Sequence, residues 1–128
     1  MDIKFPVFVL AKDSGEVLKF NSLEEMQTYM EPIDVENAEY EAWDRAGRPL
    51  RLAVQTPMWL RVDLASSSQD SSRMGQVLEN YARTVGSKAN ISVTEETDIP
   101  AVYDAIVNSR PPRHKKRDLL SRIFRGRN

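Results

Sequence analysis

The sequence of 128 residues contains no cysteine and a single histidine. Without cysteine, neither a disulfide framework nor a thiolate metal site can form. The histidine, His114, stands among basic residues without a fixed partner, and such a setting makes a poor general base. A Ser-His-Asp or Cys-His arrangement therefore has no usable members, and we expect no catalytic residue.

Long apolar runs and phosphate-binding glycines are also missing. No stretch approaches the roughly 20 residues of a membrane-spanning helix, and residues 1–5 lack the basic region and the apolar stretch of a secretory signal. The Ser-rich residues 65–72 lack the glycines and the lysine that cradle a phosphate. Together with the missing cysteines, these features lead us to expect a cytoplasmic protein without a cofactor.

Charge is abundant, and it is divided unevenly along the chain. Residues 1–109 contain 10 Lys and Arg against 18 Asp and Glu, a balance of −8. Residues 110–128 contain 8 Lys and Arg against one acid, a balance of +7. The sequence therefore predicts an acidic domain over 1–109 that is followed by a basic tail over 110–128.

The most informative stretch of the acidic domain is residues 39–54, which has the pattern of a β-hairpin. Apolar and polar side chains take alternate positions on both arms, as expected for strands with one buried face. Gly47 closes the turn between the arms, because glycine tolerates a left-handed backbone without a Cβ clash. Glu39 and Glu41 fall on the face that we expect to be wet.

Other stretches complete the predicted fold. Four have the apolar content and the length of strands: 5–11, 16–20, 58–64 and 89–93. Three have apolar residues at helical spacing: about 23–31, 73–85 and 99–108. Residues 33–38 are interpreted as a connecting loop, since Pro32 ends the first helix. We expect an α+β fold, a mostly antiparallel sheet of about five or six strands with about three helices packed on one face.

Trp59 is a candidate binding residue on the predicted strand 58–64. Alternation places it on the outer face of that strand, opposite to Leu60. An exposed aromatic side chain there suits contact with a partner. The alternative is that Trp59 covers part of the body or meets a helix.

The basic tail has the pattern of a short amphipathic helix. Its apolar residues recur at i, i+1, i+4 and i+5 from Leu119, and basic residues take much of the rest. A helix this short is marginal alone in water, so we expect the tail to be mobile when free. The candidate partner-binding residues of the tail are Arg113, Lys115, Lys116, Arg117, Leu120, Arg122, Phe124 and Arg125.

Three kinds of partner fit this pattern: an anionic lipid surface, nucleic acid or a groove on a protein. The remaining alternative is that the tail folds back on its own acidic body or merely aids solubility.

Three functions follow from these patterns. The first is a non-catalytic protein-interaction module, whose acidic body binds a basic protein partner through Glu39, Glu41 and Trp59, as an inhibitor or immunity-type protein does. The second is a peripheral adaptor whose tail binds anionic lipid or nucleic acid. The third is a small carboxylate-dependent enzyme, although nothing in the sequence selects the two acids. No metal site and no small-molecule substrate are indicated.

Overall fold

The computed structural model describes residues 2–55 and 59–111. The tail residues from 112 onward, including every candidate binding residue of the tail, lie outside this range. The described elements follow in the order β1 (Val7–Ala11), β2 (Glu16–Phe20), α1 (Leu23–Tyr29), α2 (Pro32–Glu36), β3 (Tyr40–Trp43), β4 (Pro49–Gln55), β5 (Trp59–Leu64), α3 (Ser71–Thr84) and α4 (Ile99–Asn108).

The strands form one antiparallel sheet in the order β2-β1-β3-β4-β5. In its register, Val9 of β1 lies opposite Leu18 on one side and Ala42 on the other. The predicted α+β class with a mostly antiparallel sheet of about five or six strands is confirmed, and the described sheet has five. Residues 89–93 form no strand. Ala89, Ile91 and Val93 instead pack against a hydrophobic cluster from an irregular segment.

The helices lie on both faces of the sheet, and the expectation that they share one face is wrong. Val7 and Val9 of β1 join a cluster with residues of α1 and α2, whereas Phe8 and Leu10 join a second cluster with residues of α3 and α4. Successive side chains of a strand point to opposite faces. A strand with four consecutive buried apolar residues therefore needs a cover on each side, which the helix pairs supply.

Residues 32–36 form a short helix where a loop was expected. Pro32 occupies the first position of α2, where its missing N–H has no helical partner to lose. The same proline therefore ends one helix and begins the next. Val35 of α2 is buried against the sheet, which explains why this segment folds back instead of crossing the surface.

The turns and caps follow the sequence closely. Gly47 has a φ value of 81°, as predicted for the closing residue of the central hairpin turn, and Gly15 in the β1–β2 turn has a φ value of 75°. Ser22 Oγ accepts a hydrogen bond from the Glu25 N–H at 3.1 Å, while the Glu25 carboxylate accepts one from the Asn21 N–H at 3.3 Å. This reciprocal arrangement fixes the start of α1.

In the described part of the chain, no helix combines the length and the apolar character needed to cross a bilayer.

Candidate functional site

The central hairpin buries the face that its alternation predicts. Tyr40, Ala42 and Leu50 pack in the cluster with α1 and α2. The opposite face was expected to be wet, but α3 covers part of it, and Trp43 on that face is almost fully buried. The hairpin therefore offers less free acidic surface than the sequence suggested.

Glu41 is held by an arginine of α3. The Arg73 guanidinium donates from Nε to Glu41 Oε2 at 2.9 Å and from Nη2 to Glu41 Oε1 at 2.7 Å. This hydrogen-bonded contact with Arg73 lowers the pKa of the Glu41 carboxyl below its usual value. The structure thus gives Glu41 a role in joining α3 to β3, which the sequence did not indicate.

Trp59 is exposed, with 55% of its surface accessible, at the first position of β5. It lies opposite Gln55 of β4, and β4 separates β5 from the strand that carries Glu41. The structure therefore places Trp59 and Glu41 on strands that are not neighbours.

Glu39 belongs to a cluster of carboxylates that the sequence did not bring together. A cleft of about 220 Å³ is lined by acids from the β1–β2 turn, from β2, from α2 and from the start of β3: Asp13, Glu16, Asp34 and Glu39. We call this cleft the acidic notch. Two backbone hydrogen bonds hold Glu39 there, from its N–H to the Asp34 carbonyl at 3.1 Å and from the Lys12 N–H to its carbonyl at 2.9 Å.

The carboxylates of the acidic notch are crowded. A side-chain hydrogen bond with Asp34 raises the pKa of Glu39, and burial and the negative charge of Asp34 act in the same direction. Tyr40 lies at the edge of the notch, and burial raises the pKa of its hydroxyl to about 12. A cation placed in the notch would relieve this repulsion.

A second and larger concavity adjoins the acidic notch. It has a volume of about 730 Å³ and lies beside β2, between α1 and α4. We call it the β2 groove. Leu18, Phe20, Tyr29 and Tyr103 give it an apolar lining, and Glu24 and Glu25 at the start of α1 give it an acidic rim. Leu18 and Tyr29 also line the acidic notch, so the two concavities are adjacent.

Aromatic contacts hold the walls of the β2 groove. The Phe20 and Tyr29 rings lie 5.5 Å apart, and the Tyr103 ring lies 5.3 Å from Phe8 and 5.9 Å from Tyr81. Tyr103 is more than half buried, and this burial raises the pKa of its hydroxyl. The walls are therefore pre-formed, which lowers the entropic cost of filling the groove.

The strand that borders the groove is an edge of the sheet, since β2 has β1 as its only neighbour in the described sheet. The Val17 carbonyl accepts a hydrogen bond from the Tyr103 hydroxyl at 3.0 Å, so this carbonyl points away from β1. Backbone groups of a strand repeat their direction every second residue. The backbone of Lys19 therefore points outward as well, toward the space where an added strand would pair.

Lys19 is the cation of this surface. Its Nζ lies 3.5 Å from Asp104 Oδ1 and 5.9 Å from the centre of the Tyr103 ring. The described residues that line the β2 groove include two carboxylates, and those that line the acidic notch include four. Lys19 is the one basic residue among these described lining residues. The combined surface is strongly acidic.

This surface offers an edge strand on which the Lys19 backbone points outward, together with aromatic walls and carboxylates. Within residues 2–55 and 59–111, no group of three or more His, Cys, Asp or Glu is arranged to hold a metal ion. The sequence identified Glu39 as a candidate but not its three carboxylate neighbours in the notch, Asp13, Glu16 and Asp34. These four residues come together only when α2 and the β1–β2 turn pack beside β3.

Comparison of this chain with models of protein families, with curated proteins and with solved structures finds no match.

Proposed function

We propose that this protein is a non-catalytic interaction module, and that its acidic body binds a basic segment of a protein partner along the β2 groove and the acidic notch. The observation that carries the proposal is that these two concavities adjoin each other beside the edge strand β2. One concavity supplies apolar contact area and the other supplies negative charge. A cytoplasmic location remains part of the proposal.

Each part of the surface has a task in this binding. The outward backbone groups of Lys19 pair with an extended segment, as in other cases of strand addition. Phe20, Tyr29 and Tyr103 receive an apolar side chain of that segment. The carboxylates of the notch receive its Lys or Arg residues, and they also speed association by electrostatic steering. Such a module acts as an inhibitor or immunity-type protein does, by covering a basic surface of its target.

The test compares partner capture by the full chain with capture by two charge-reversed variants. Asp13→Lys with Glu24→Lys changes the charge of the notch and of the groove rim. Glu95→Lys with Glu96→Lys makes the same total change at exposed residues that line neither concavity. Glu25 is left unchanged because its carboxylate caps α1.

Copurification from the native host, quantified by mass spectrometry, is expected to recover a basic protein with the wild type and with the Glu95/Glu96 variant. The Asp13/Glu24 variant is expected to lose that protein, and the association should weaken with rising salt. Equal recovery with both variants would contradict the proposal.

The tail supports a second candidate function, that of a peripheral adaptor for anionic lipid or nucleic acid. Residues 113–127 contain seven Lys and Arg, and Leu120 and Phe124 are four residues apart, the spacing of one helical face. Each basic residue contributes up to about 1 kcal/mol at an anionic membrane. Leu120→Ser with Phe124→Ser should abolish liposome co-sedimentation and leave a DNA gel shift almost unchanged, because phosphates interact with the charge alone. A wild type that binds neither at low salt would refute this candidate.

A further inference from the structure

We infer that residues 113–127 of this chain occupy the β2 groove and the acidic notch when no partner is bound. The inference rests on the proposed function, because it assigns a second occupant to the same surface. The basic segment of the partner then competes with the C-terminal residues of the chain itself, and the free protein keeps its binding edge covered.

The described chain ends close to the start of β2. A Cβ atom placed on Gly86 would lie 3.4 Å from the Pro111 ring, so Pro111 packs just beyond the C-terminal end of α3. That end of α3 also packs against the β1–β2 turn, because a Cβ on Gly15 would lie 3.4 Å from Asn80 Nδ2 and 3.6 Å from Thr84 Oγ1. The C-terminal residues therefore leave the body where β2 begins.

The remaining residues are long enough to reach the whole groove. Seventeen residues, 112–128, follow Pro111. The five residues of β2 span about 17 Å at the rise of a β-strand. Seventeen residues cover about 25 Å even at the rise of a helix. The segment can thus pass the β1–β2 turn and run beside β2 without any change in the body.

The charges of the two partners are opposite. The groove and the notch present six carboxylates against Lys19, and residues 113–127 present seven Lys and Arg against Asp118. Covalent attachment also raises the local concentration of the segment to about the millimolar range. Charge and attachment together favour docking within one molecule over docking between copies.

The order of chemical groups along the segment matches the order along the surface. Four of the seven basic residues come first, at Arg113 and at 115–117, and the apolar Leu120 and Phe124 follow, with the other three basic residues beside or after them. On the body, the acidic notch adjoins the β1–β2 turn, where the segment begins. The apolar part of the groove adjoins Phe20, at the far end of β2. Basic side chains thus meet carboxylates, and apolar side chains meet aromatic ones.

A paramagnetic label on the full chain tests the inference directly. The sequence has no cysteine, so Ser121→Cys carries a nitroxide at one defined position. We expect the amide signals of Lys19 and Thr28, which line the groove, to lose intensity in the NMR spectrum. The amides of Ser66 and Ser68, in the segment between β5 and α3 that lines neither concavity, serve as the internal control and should keep their intensity.

Two pairs of substitutions in the labelled chain make the test specific. Asp13→Lys with Glu24→Lys should abolish the intensity loss at Lys19 and Thr28. The matched pair Glu95→Lys with Glu96→Lys should leave the loss intact. If both pairs weaken the loss equally, the attraction is a diffuse effect of net charge and the inference is overturned. An equal loss at the groove amides and at the Ser66 and Ser68 amides, no loss at all, or a loss that grows with protein concentration would also overturn it.

The docking of the tail and the proposed function can be refuted by different experimental results. Partner capture that depends on Asp13 and Glu24, without any intensity loss in the labelled free chain, refutes the docking of the tail and leaves the interaction module standing. Intensity loss at the groove, without a captured basic partner, supports the docking and refutes the proposed function.

Discussion

Asp44 is fully buried and organises the loop of the central hairpin. Its carboxylate accepts hydrogen bonds from the backbone N–H groups of Lys4, Ala46 and Arg48 at 3.0 to 3.2 Å. It also accepts from Arg48 Nε at 2.9 Å and from Nη2 at 2.6 Å. The guanidinium of Arg48 in turn donates to the Asp2 carbonyl at 2.8 Å. This one side chain therefore ties the N-terminal segment to the hairpin.

Asp44→Ala should destabilise the protein by about 3–5 kcal/mol, because it leaves the buried Arg48 guanidinium without its carboxylate. The matched control is Asp63→Ala, which removes an exposed partner of Arg61 and should cost less than about 1 kcal/mol. Denaturant titration of both variants measures the difference. Equal losses would mean that Asp44 acts as an ordinary turn residue.

Glu39 and Glu41 are two residues apart, and their environments predict opposite dependences of stability on pH. Arg73 lowers the pKa of Glu41 below its ordinary value of 4.5. The stabilising contribution of Glu41 is therefore present above the pKa that this carboxyl has in the unfolded chain, and it is lost as pH falls through the pKa of the folded protein. Asp34 raises the pKa of Glu39. The stabilising contribution of Glu39 is therefore present below the pKa that this carboxyl has in the unfolded chain, and it is lost as pH rises through the pKa of the folded protein.

Glu41→Gln should therefore lower the free energy of unfolding by about 1 kcal/mol at pH 7, with little effect at pH 3. Glu39→Gln should raise the melting temperature at pH 7, because it removes repulsion in the acidic notch, and this gain should vanish at pH 3. Thermal melts across this range measure both effects. A loss of stability in the Glu39 variant at pH 7 would contradict the crowding of carboxylates in the notch.

At the scale of elements, the two hairpin turns depend on glycine to different degrees. Gly15 and Gly47 both have a left-handed backbone. A Cβ on Gly47 would lie 3.0 Å from Ile99 Cδ1, whereas a Cβ on Gly15 would have its nearest neighbour at 3.4 Å. The second hairpin is thus packed closely under the start of α4, and the first turn has more space.

Gly15→Val and Gly47→Val should each destabilise by about 1–2 kcal/mol, since a β-branched residue resists a left-handed backbone. Gly47→Val should cost the more of the two. The control is Gly75→Ala in α3, where the nearest atom to a Cβ is Val93 Cβ at 3.6 Å and where alanine should stabilise by about 0.5–1 kcal/mol. Neutral valine variants in denaturant titration would show that the turns do not constrain these positions.

At the scale of the whole molecule, both hydrophobic clusters are built from residues of the acidic body. Val107 is the last residue of either cluster in the described part of the chain. Residues 1–109 should therefore fold without the tail. Thermal melts of the full chain and of the truncated chain test this, and a fall in midpoint of more than about 6 °C, which is roughly 1 kcal/mol for a domain of this size, would show that the tail belongs to the fold.

Local patterns were sufficient to predict most of the elements. Apolar alternation predicted β3 and β4, and helical spacing predicted α3 and α4 close to their observed bounds. The turn at Gly47 followed from the conformational freedom of glycine, and the cap at Ser22 depends on a serine and a glutamate only three residues apart. These features depend on neighbours within a few residues along the chain, and the sequence by itself determines them.

Tertiary structure decided which elements meet. The apolar residues of β1 predicted a buried strand. The tertiary structure shows which helices cover each face of that strand. Glu39 was singled out without Asp34, and Glu41 without Arg73, because these pairs form between separate elements. The β2 groove arises because β2 ends the sheet between α1 and α4. Strand order depends on contacts between residues far apart in sequence, which local periodicity does not encode.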